Sequence, residues 1–486
     1  MATFATDVAN RPARKHWTAD LARTAAVLAA GVLLRTLFLG KSLWLDEGIA
    51  VGNAWAGGLP LSEWSDWFAR LWSHSEFNMV LYFAALRLWL HIGSGEAFIR
   101  MLSVIFAVAT LPVVYAIGRR LFDRPIAIVA TLLLAIHGAH IAYSQEARGY
   151  TMAVFFCAVA TYFFLQGVER GRWWTWLLYT LSAVLGTYCH LFALLVVGSH
   201  TISLVITRRR TTQWLRLLGS LILLFVLVSP ALFFAATNEG HQVEWIAKLG
   251  PSQVLNTLSE LAGSPVALAP YLVLWTFGVL YCRRCWSSGD EVRRWQAALV
   301  LSWAFAPMLM AIMISIRKPM LVPRYLLIST PGAVLLAAKG AYEMRPRWRQ
   351  ITVWSAVALS VGFVAFRYTR PKENWRDATQ YVLSHAQKGD AVVVVPGWSE
   401  PVFDYYRRRN SNAKVVELSP AAVTGESVAR GSGHERLWVV AYARDYALKE
   451  RDTRAVLERV DRECQLTDAA EFRMLHVRLY GPVCSR

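Results

Sequence analysis

Arginine occupies every second gap between the long apolar runs of this chain, and that alternation constrains the fold more than any single motif. The runs lie near 21–40, 98–118, 125–142, 150–167, 174–188, 190–207, 214–236, 265–282, 296–316, 325–342 and 350–366. The basic gaps carry Arg119, Arg120 and Arg124; Arg170 and Arg172; Arg208, Arg209, Arg210 and Arg216; Arg283, Arg284, Arg293 and Arg294; Arg345, Arg347 and Arg349. This is the positive-inside pattern of a polytopic membrane protein that starts in the cytoplasm. Lipid cannot satisfy backbone polar groups, so apolar runs of this length predict transmembrane helices. Eleven crossings place the C-terminus on the outer face. The short pair 174–188 and 190–207 is the weakest of these spans; were it a single re-entrant unit, the later topology would be unchanged.

Composition agrees. Hydrophobic residues make up 55% of the chain and charged residues only 17%, below the quarter usual for soluble domains. Mean hydropathy is +0.35. A net charge of +18 would suit a nucleic-acid partner, but the arginines are spent on topology, and nucleic-acid binding is not expected. Residues 1–20 are polar and lead into the first run without a small-residue cleavage site. They read as a cytoplasmic tail before a signal-anchor helix.

The same alternation puts 41–97, 143–149, 237–264, 317–324 and everything beyond 366 outside. In 41–97, Trp44, Trp55, Trp64, Trp67 and Trp72 alternate with Glu63, Asp66 and Glu76, the makeup of amphipathic helices lying at headgroup level. From 367 to 486 the composition turns soluble. Helices are expected at 373–385 and 447–459, and strands at 390–396, 437–442 and 474–480, giving a small α/β domain. No Gly-rich phosphate loop follows its strands. The organisation is therefore a 1–20 tail, a 21–366 transmembrane domain that includes the 41–97 loop, and a 367–486 outer domain. Cys157 and Cys189 suit small apolar roles, and the Cys282–Cys285 CxxC lacks the second ligand pair of a zinc site. Cys464 and Cys484 lie where a disulfide is permitted.

Three outer-side clusters carry chemistry. The first is Asp46–Glu47, just past the first run; lipid cannot hold adjacent carboxylates, so they need a polar loop or cavity. The second is Tyr143, Ser144, Gln145, Glu146, Ala147, Arg148, Gly149 and Tyr150. The third holds Arg317, Lys318, Pro323, Arg324 and Tyr325. Singly each has an ordinary explanation: a solvated loop acid, an Arg148–Glu146 ion pair, headgroup snorkelling by Arg317 and Lys318. Together, at one membrane face, they match a lipid-phosphate donor site. Cations steady a phosphate leaving group while a carboxylate activates an acceptor hydroxyl.

The run Ser42 to Glu47 after a first membrane helix resembles the first-loop acidic motif of the GT-C superfamily. So do 96–103 with Arg100, 143–150 and Pro323-Arg324-Tyr325. The similarity is to the bacterial branch of glycosyltransferase family 39, related to protein O-mannosyltransferases and the lipid A aminoarabinose transferase. It covers nearly all of 20–340, and the outer domain's Asn374-Trp375-Arg376 is also similar to bacterial members. The resemblance implies an inverting hexosyl- or pentosyltransferase of the bacterial inner membrane. It would take sugar from a polyprenyl-phosphate donor and pass it to a protein, lipid or glycan hydroxyl on the outer face. By that analogy Asp46 is the catalytic base and Glu47 its neighbour in the acceptor pocket. Arg148 and Arg324, with Lys318 and Arg317, hold the donor phosphate. Glu146, Tyr143, Tyr150, Tyr325, His74, Glu76, Asn78, Tyr82 and Arg100 line the substrate pocket.

One departure stands out. Related enzymes often carry a His or Lys followed by Pro-Pro where the first loop returns to the membrane; here the segment 74–82 keeps Leu81-Tyr82 but lacks the prolines and that cation. No cofactor is firmly implied. A divalent metal remains an option, with Glu76 and either His74 or His190 as ligands, though no spacing is diagnostic. From other classes, a transporter or flippase of a lipid-linked substrate is the alternative, although no internal repeat is evident. A catalytically dead scaffold is a third.

Overall fold

The computed structural model describes residues 11–73, 77–208, 213–237, 246–410, 415–424, 436–443 and 450–484. The chain opens with α1 (Arg11–Thr36), α2 (Leu45–Trp55), α3 (Trp64–Ser73), α4 (Val80–Leu90) and α5 (Glu96–Leu121). It continues through α6 (Arg124–Ala135), α7 (Gly138–Ser144), α8 (Tyr150–Arg170), α9 (Trp173–Cys189), α10 (Ala193–Ile206) and α11 (Trp214–Thr237). Then come α12 (Pro251–Leu261), α13 (Leu268–Ser287), α14 (Glu291–Ser315), α15 (Thr330–Glu343), α16 (Pro346–Thr369), α17 (Trp375–His385), α18 (Glu400–Arg408), α19 (Pro420–Thr424) and α20 (Arg451–Glu463). The strands are β1 (Ala391–Val395), β2 (Val416–Leu418), β3 (Leu437–Tyr442), β4 (Cys464–Phe472) and β5 (Leu475–Cys484).

Every expected span lies on a helix. Among the described residues, α5, α8, α11, α14 and α16 are each long and apolar enough to cross a membrane, and the bent pair α6–α7 adds a sixth if taken as one span. The chain is a multi-pass membrane protein; the number eleven rests on the sequence pattern. Two boundaries differ from expectation. Helix α1 reaches back to Arg11, into the expected tail, because the charged residues there are good helix formers. The third run bends by 55° between α6 and α7.

The chain divides into two compact units: 1–37, 71–82 and 100–368 form one; 38–70, 83–99 and 369–486 form the other. In the first, caps set the helix ends. Asp123 accepts from the Ile126 N–H at 2.9 Å to open α6, and Asp290 accepts from Val292 and Arg293 to open α14. The α6–α7 break would leave carbonyls unpaired at membrane depth, a costly situation. Arg35, wholly buried on α1, resolves it by donating to the Ala135 and Leu134 carbonyls at 2.7 and 3.0 Å and contacting His140 Nδ1 at 2.8 Å. In return the Gln145 amide donates to the Leu37 carbonyl at 2.7 Å at the end of α1. This reciprocal clasp fixes where the 143–150 turn emerges.

The second unit is built on a five-stranded sheet of order β2-β1-β3-β5-β4. Strand β1 runs parallel to β2 and β3, while β5 is antiparallel to β3 and β4. All five β1 residues are buried, as a strand covered on both faces requires. Val393, Val395, Val439 and Ala441 pack with Val423, Val456 and Val460. The expected strands at 390–396, 437–442 and 474–480 are β1, β3 and β5. Helix α20 covers 451–463 where 447–459 was expected; 444–449 lie outside the described residues. Strands β2 and β4 were not anticipated. Cys464 is disulfide-bonded and stands opposite Cys484 in the β4–β5 ladder.

A pH effect follows in this unit. Glu417 on β2 accepts from Arg407 at 2.9 Å, yet burial, reinforced by the charge of Glu400, pushes its carboxyl up to about 7. The folded state therefore holds this proton more tightly than the unfolded chain, whose glutamate titrates near about 4.3. The stabilisation is complete below that value and is lost as pH rises through about 7. Glu417→Gln is expected to flatten the part of the melting-temperature slope between those limits, read as the difference between variant and parent.

Candidate active site

In the second unit, the acidic motif forms the first turn of α2. Leu45, Asp46 and Glu47 open the helix after Trp44, so both acids sit where the helix dipole favours negative charge. Glu47 is fully buried and accepts from the Trp44 N–H at 3.2 Å, the reach-back of an N3 carboxylate. Lys372 lies 3.3 Å from the same oxygen. The Leu45 N–H donates to Glu373 at 2.9 Å, which also accepts from Trp375 Nε1 and the Tyr442 hydroxyl. Arg376 donates to Glu96 at 3.0 Å and to the Gly40 carbonyl at 2.6 Å. Three motifs separated in sequence, 42–47, Glu96 and 374–376, thus fold around one turn. Asp46 is half-buried on it. Helix α18 presses on α2 so closely that a Cβ on Gly48 would lie 2.7 Å from Val402 Cβ.

In the first unit, the other two basic clusters meet. The rings of Tyr150 and Tyr325 stack at 6.4 Å, and Tyr143 meets Tyr150 edge-on at 5.4 Å. The Arg148 guanidinium lies 5.9 Å from the Tyr150 ring centroid, and that of Arg324 lies 5.8 Å from the Tyr325 centroid. Each tyrosine of the stack thus has a cation over its ring. The turn is fixed from behind: the hydroxyls of Tyr82 and Ser103 pair at 3.0 Å, Ser103 Oγ donates to the Arg148 carbonyl at 3.2 Å, and Thr151 donates to the Ser103 carbonyl at 2.9 Å. Gly149 is required there, since a Cβ would come 2.9 Å from the Cys189 carbonyl oxygen. Arg324 and Tyr325 sit on a 3-10 turn, Pro323–Ser329, that packs on α8 and α12.

Two residues of this cluster were not assigned to the phosphate site from sequence. His190, in the break between α9 and α10, lies 4.5 Å from the Tyr325 ring and 5.8 Å from Tyr150. Glu260, on α12, hydrogen-bonds Tyr143. Burial raises its pKa, against the Tyr143 bond and the charges of Arg367 and Arg324. A polar residue at the outer edge of an apolar run was the available signal for His190. Glu260 lay in an unpatterned loop and gave none.

Of the remaining expected residues, Glu146 stays with this turn, its charge acting on Tyr143. Glu146 and Arg100 are buried, and Asn78 is half-buried in a 3-10 turn before α4. Arg317 is exposed and Lys318 half-buried beyond α14; no contact joins either to the Arg148–Arg324 cluster among the described residues. His74 and Glu76 lie outside the described residues. No group of three or more His, Cys, Asp or Glu suited to a metal occurs among the described residues.

The fold is similar to those of ArnT and of the oligosaccharyltransferase AglB. The crystal structure of ArnT from Cupriavidus metallidurans in the apo state is similar over 96% of this chain and 98% of that one, with TM-score 0.66 and 12% identity. ArnT from the same organism bound to undecaprenyl phosphate matches over the same shares, with TM-score 0.61 and 11% identity. The oligosaccharyltransferase AglB from Archaeoglobus fulgidus, in complex with an inhibitory peptide and a dolichol-phosphate, covers 96% of this chain and is covered over 74%, at TM-score 0.55 and 11% identity. At the level of a family, residues 78–234 match the model for dolichyl-phosphate-mannose-protein mannosyltransferase, a stretch holding Tyr82, Arg100, the 143–150 turn and His190. No curated protein sequence matches.

Proposed function

We propose that the chain is an inverting glycosyltransferase. It moves a sugar from a polyprenyl-phosphate donor to an acceptor hydroxyl at the outer face of a bacterial inner membrane, with the N-terminus cytoplasmic and the 367–486 segment outside. The observation that carries this reading is that the stacked Tyr150 and Tyr325 each have a guanidinium over the ring, Arg148 and Arg324. Guanidiniums suit phosphate because their planar forks donate in parallel, and they stabilise the charge that develops as the phosphate leaves. Solved structures of similar fold, bound to undecaprenyl phosphate and to dolichol-phosphate, support the donor class.

In this mechanism Asp46 takes the proton of the acceptor hydroxyl as that oxygen attacks the anomeric carbon. The polyprenyl phosphate departs from the opposite face, held by Arg148 and Arg324, with Lys318 and Arg317 as further cations near the membrane surface. One base suffices for a single displacement, whereas retention would need a nucleophilic carboxylate as well. Glu47 keeps the base-bearing turn in place. Glu146, Tyr143, Tyr150, Tyr325, Asn78, Tyr82 and Arg100 shape the pocket.

Arg148→Gln and Arg324→Gln are each expected to weaken polyprenyl-phosphate binding by about 10- to 100-fold, the worth of one charged hydrogen-bonding partner. Purified protein in lipid would be offered a panel of polyprenyl-phosphate sugars, scored for binding and for release of polyprenyl phosphate. Release by the parent, lost in both variants, supports the reading and names the sugar. Binding with transbilayer movement and no release, in the presence of hydroxyl acceptors, overturns it in favour of transport.

A further inference from the structure

The first unit contains a buried hydrogen-bond donor that has no partner among the described residues. His190 is 2% exposed. Its Nδ1 accepts from the Phe192 N–H at 3.3 Å, where the chain turns from α9 into α10. An imidazole nitrogen that accepts carries no proton, so in the neutral ring the hydrogen resides on Nε2. His190 is thus a neutral donor of fixed tautomer. Its Nε2 is buried and has no hydrogen-bond partner among the described residues. A stranded buried donor costs about 1–3 kcal/mol, and such groups call for an explanation.

The surroundings say what could satisfy it. Tyr325 stands 4.5 Å from the His190 ring, Tyr150 5.8 Å and Phe192 5.4 Å. The guanidiniums of Arg148 and Arg324 lie over the two tyrosines. A buried donor against an aromatic wall whose two tyrosines each have a cation over the ring matches an anionic oxygen and mismatches another cation. Metal ligation through Nε2 would require that nitrogen to give up its proton next to two fixed positive charges, with no acidic partner in contact with the ring among the described residues.

We propose that His190 is a third ligand of the donor's phosphate, its Nε2–H donating to a phosphate oxygen that Arg148 and Arg324 also hold. This rests on the glycosyl-transfer reading and deepens it. The phosphate group is bound through two charged contacts and one neutral one. The neutral donor adds direction without adding charge that would hold the released polyprenyl phosphate too tightly.

The test uses the full chain in lipid and titrates undecaprenyl phosphate, with inorganic phosphate as a second ligand. His190→Phe keeps a ring against Tyr325 but has no donor. His190→Gln places an amide N–H close to the Nε2 position. His190→Phe is expected to bind undecaprenyl phosphate about 10-fold or more weakly, with His190→Gln within about 3-fold of the parent; melting temperatures should match the parent's. Inorganic phosphate competing as well as the lipid would assign the site to free phosphate and overturn the donor assignment. In the parent with ring-labelled histidine, the Nε2–H resonance that His190→Gln removes should shift on adding the lipid, a readout that stands even if His190→Phe folds poorly. A parent that binds, with His190→Phe binding equally and no shifted resonance, overturns this inference alone. A parent that does not bind undecaprenyl phosphate overturns the glycosyl-transfer reading and this inference with it.

Discussion

Asp46→Asn is expected to fold and bind donor as the parent does while losing transfer by about 10²- to 10⁴-fold, the usual worth of a positioned general base. The reason lies in how the turn is held. Its backbone donors are taken by other carboxylates: the Trp44 N–H by Glu47 and the Leu45 N–H by Glu373. Asparagine keeps the shape of aspartate and its hydrogen-bonding capacity, but it cannot accept a proton from a hydroxyl at neutral pH. The loss should appear in turnover and not in binding of polyprenyl phosphate. Glu47→Gln separates the two acids, because the amide oxygen can still accept from Trp44 while the charge facing Lys372 disappears. That variant should lose melting temperature before it loses chemistry. Parent-like turnover from Asp46→Asn, with the acceptor present, would remove the base from the mechanism.

The parts of this architecture that were legible in sequence are those written in a short period or in charge. Apolar runs between arginine-rich turns marked each described helix long and apolar enough to cross a membrane, because lipid imposes the same demand on each one. The strands Ala391–Val395 and Leu437–Tyr442 were legible because buried strands need unbroken apolar stretches. Strand β4 was not: Gln465, Thr467, Asp468 and Glu471 interrupt it, as an edge strand with a mostly exposed surface allows. Strand β2 is three residues long and pairs on one side only, too short to leave a pattern. The clusters 143–150 and 323–325 could be named from residue type, but their meeting is a tertiary fact. The contribution of His190 depends on a tautomer set by a backbone N–H two residues away, and the second task of Glu47, capping its own helix, depends on the exact start of α2. The break in the third run was invisible because the residue that makes it tolerable, Arg35, lies about a hundred positions earlier.

Gly340→Val is expected to cost about 3 kcal/mol or more of folding stability by overpacking against backbone. Helices α13 and α15 cross with glycine on both sides. A Cβ on Gly340 would fall on the Leu274 carbonyl oxygen and 2.7 Å from the Gly278 nitrogen, and one on Gly278 would come 2.7 Å from the Leu336 carbonyl oxygen. Side chains can turn aside, but helix backbone cannot. The two helices would have to separate, and the bond from Trp275 Nε1 to the Ala333 carbonyl at 3.0 Å would go with them. In a bilayer such close approach is itself the source of association, since lipid offers apolar surfaces no reason to prefer each other. The consequence reaches the phosphate site, because α15 continues directly from the turn that carries Arg324 and Tyr325. Gly362→Ala on α16 is the control: nothing lies within 4 Å of its Cβ position, and alanine is the better helix former by about 1 kcal/mol. Melting of both variants in one detergent decides the matter. Gly340→Val melting at the parent's temperature would mean that α13 and α15 do not approach this closely, and the support for the Arg324 turn would have to come from its other neighbours, α8, α12 and α14 among them.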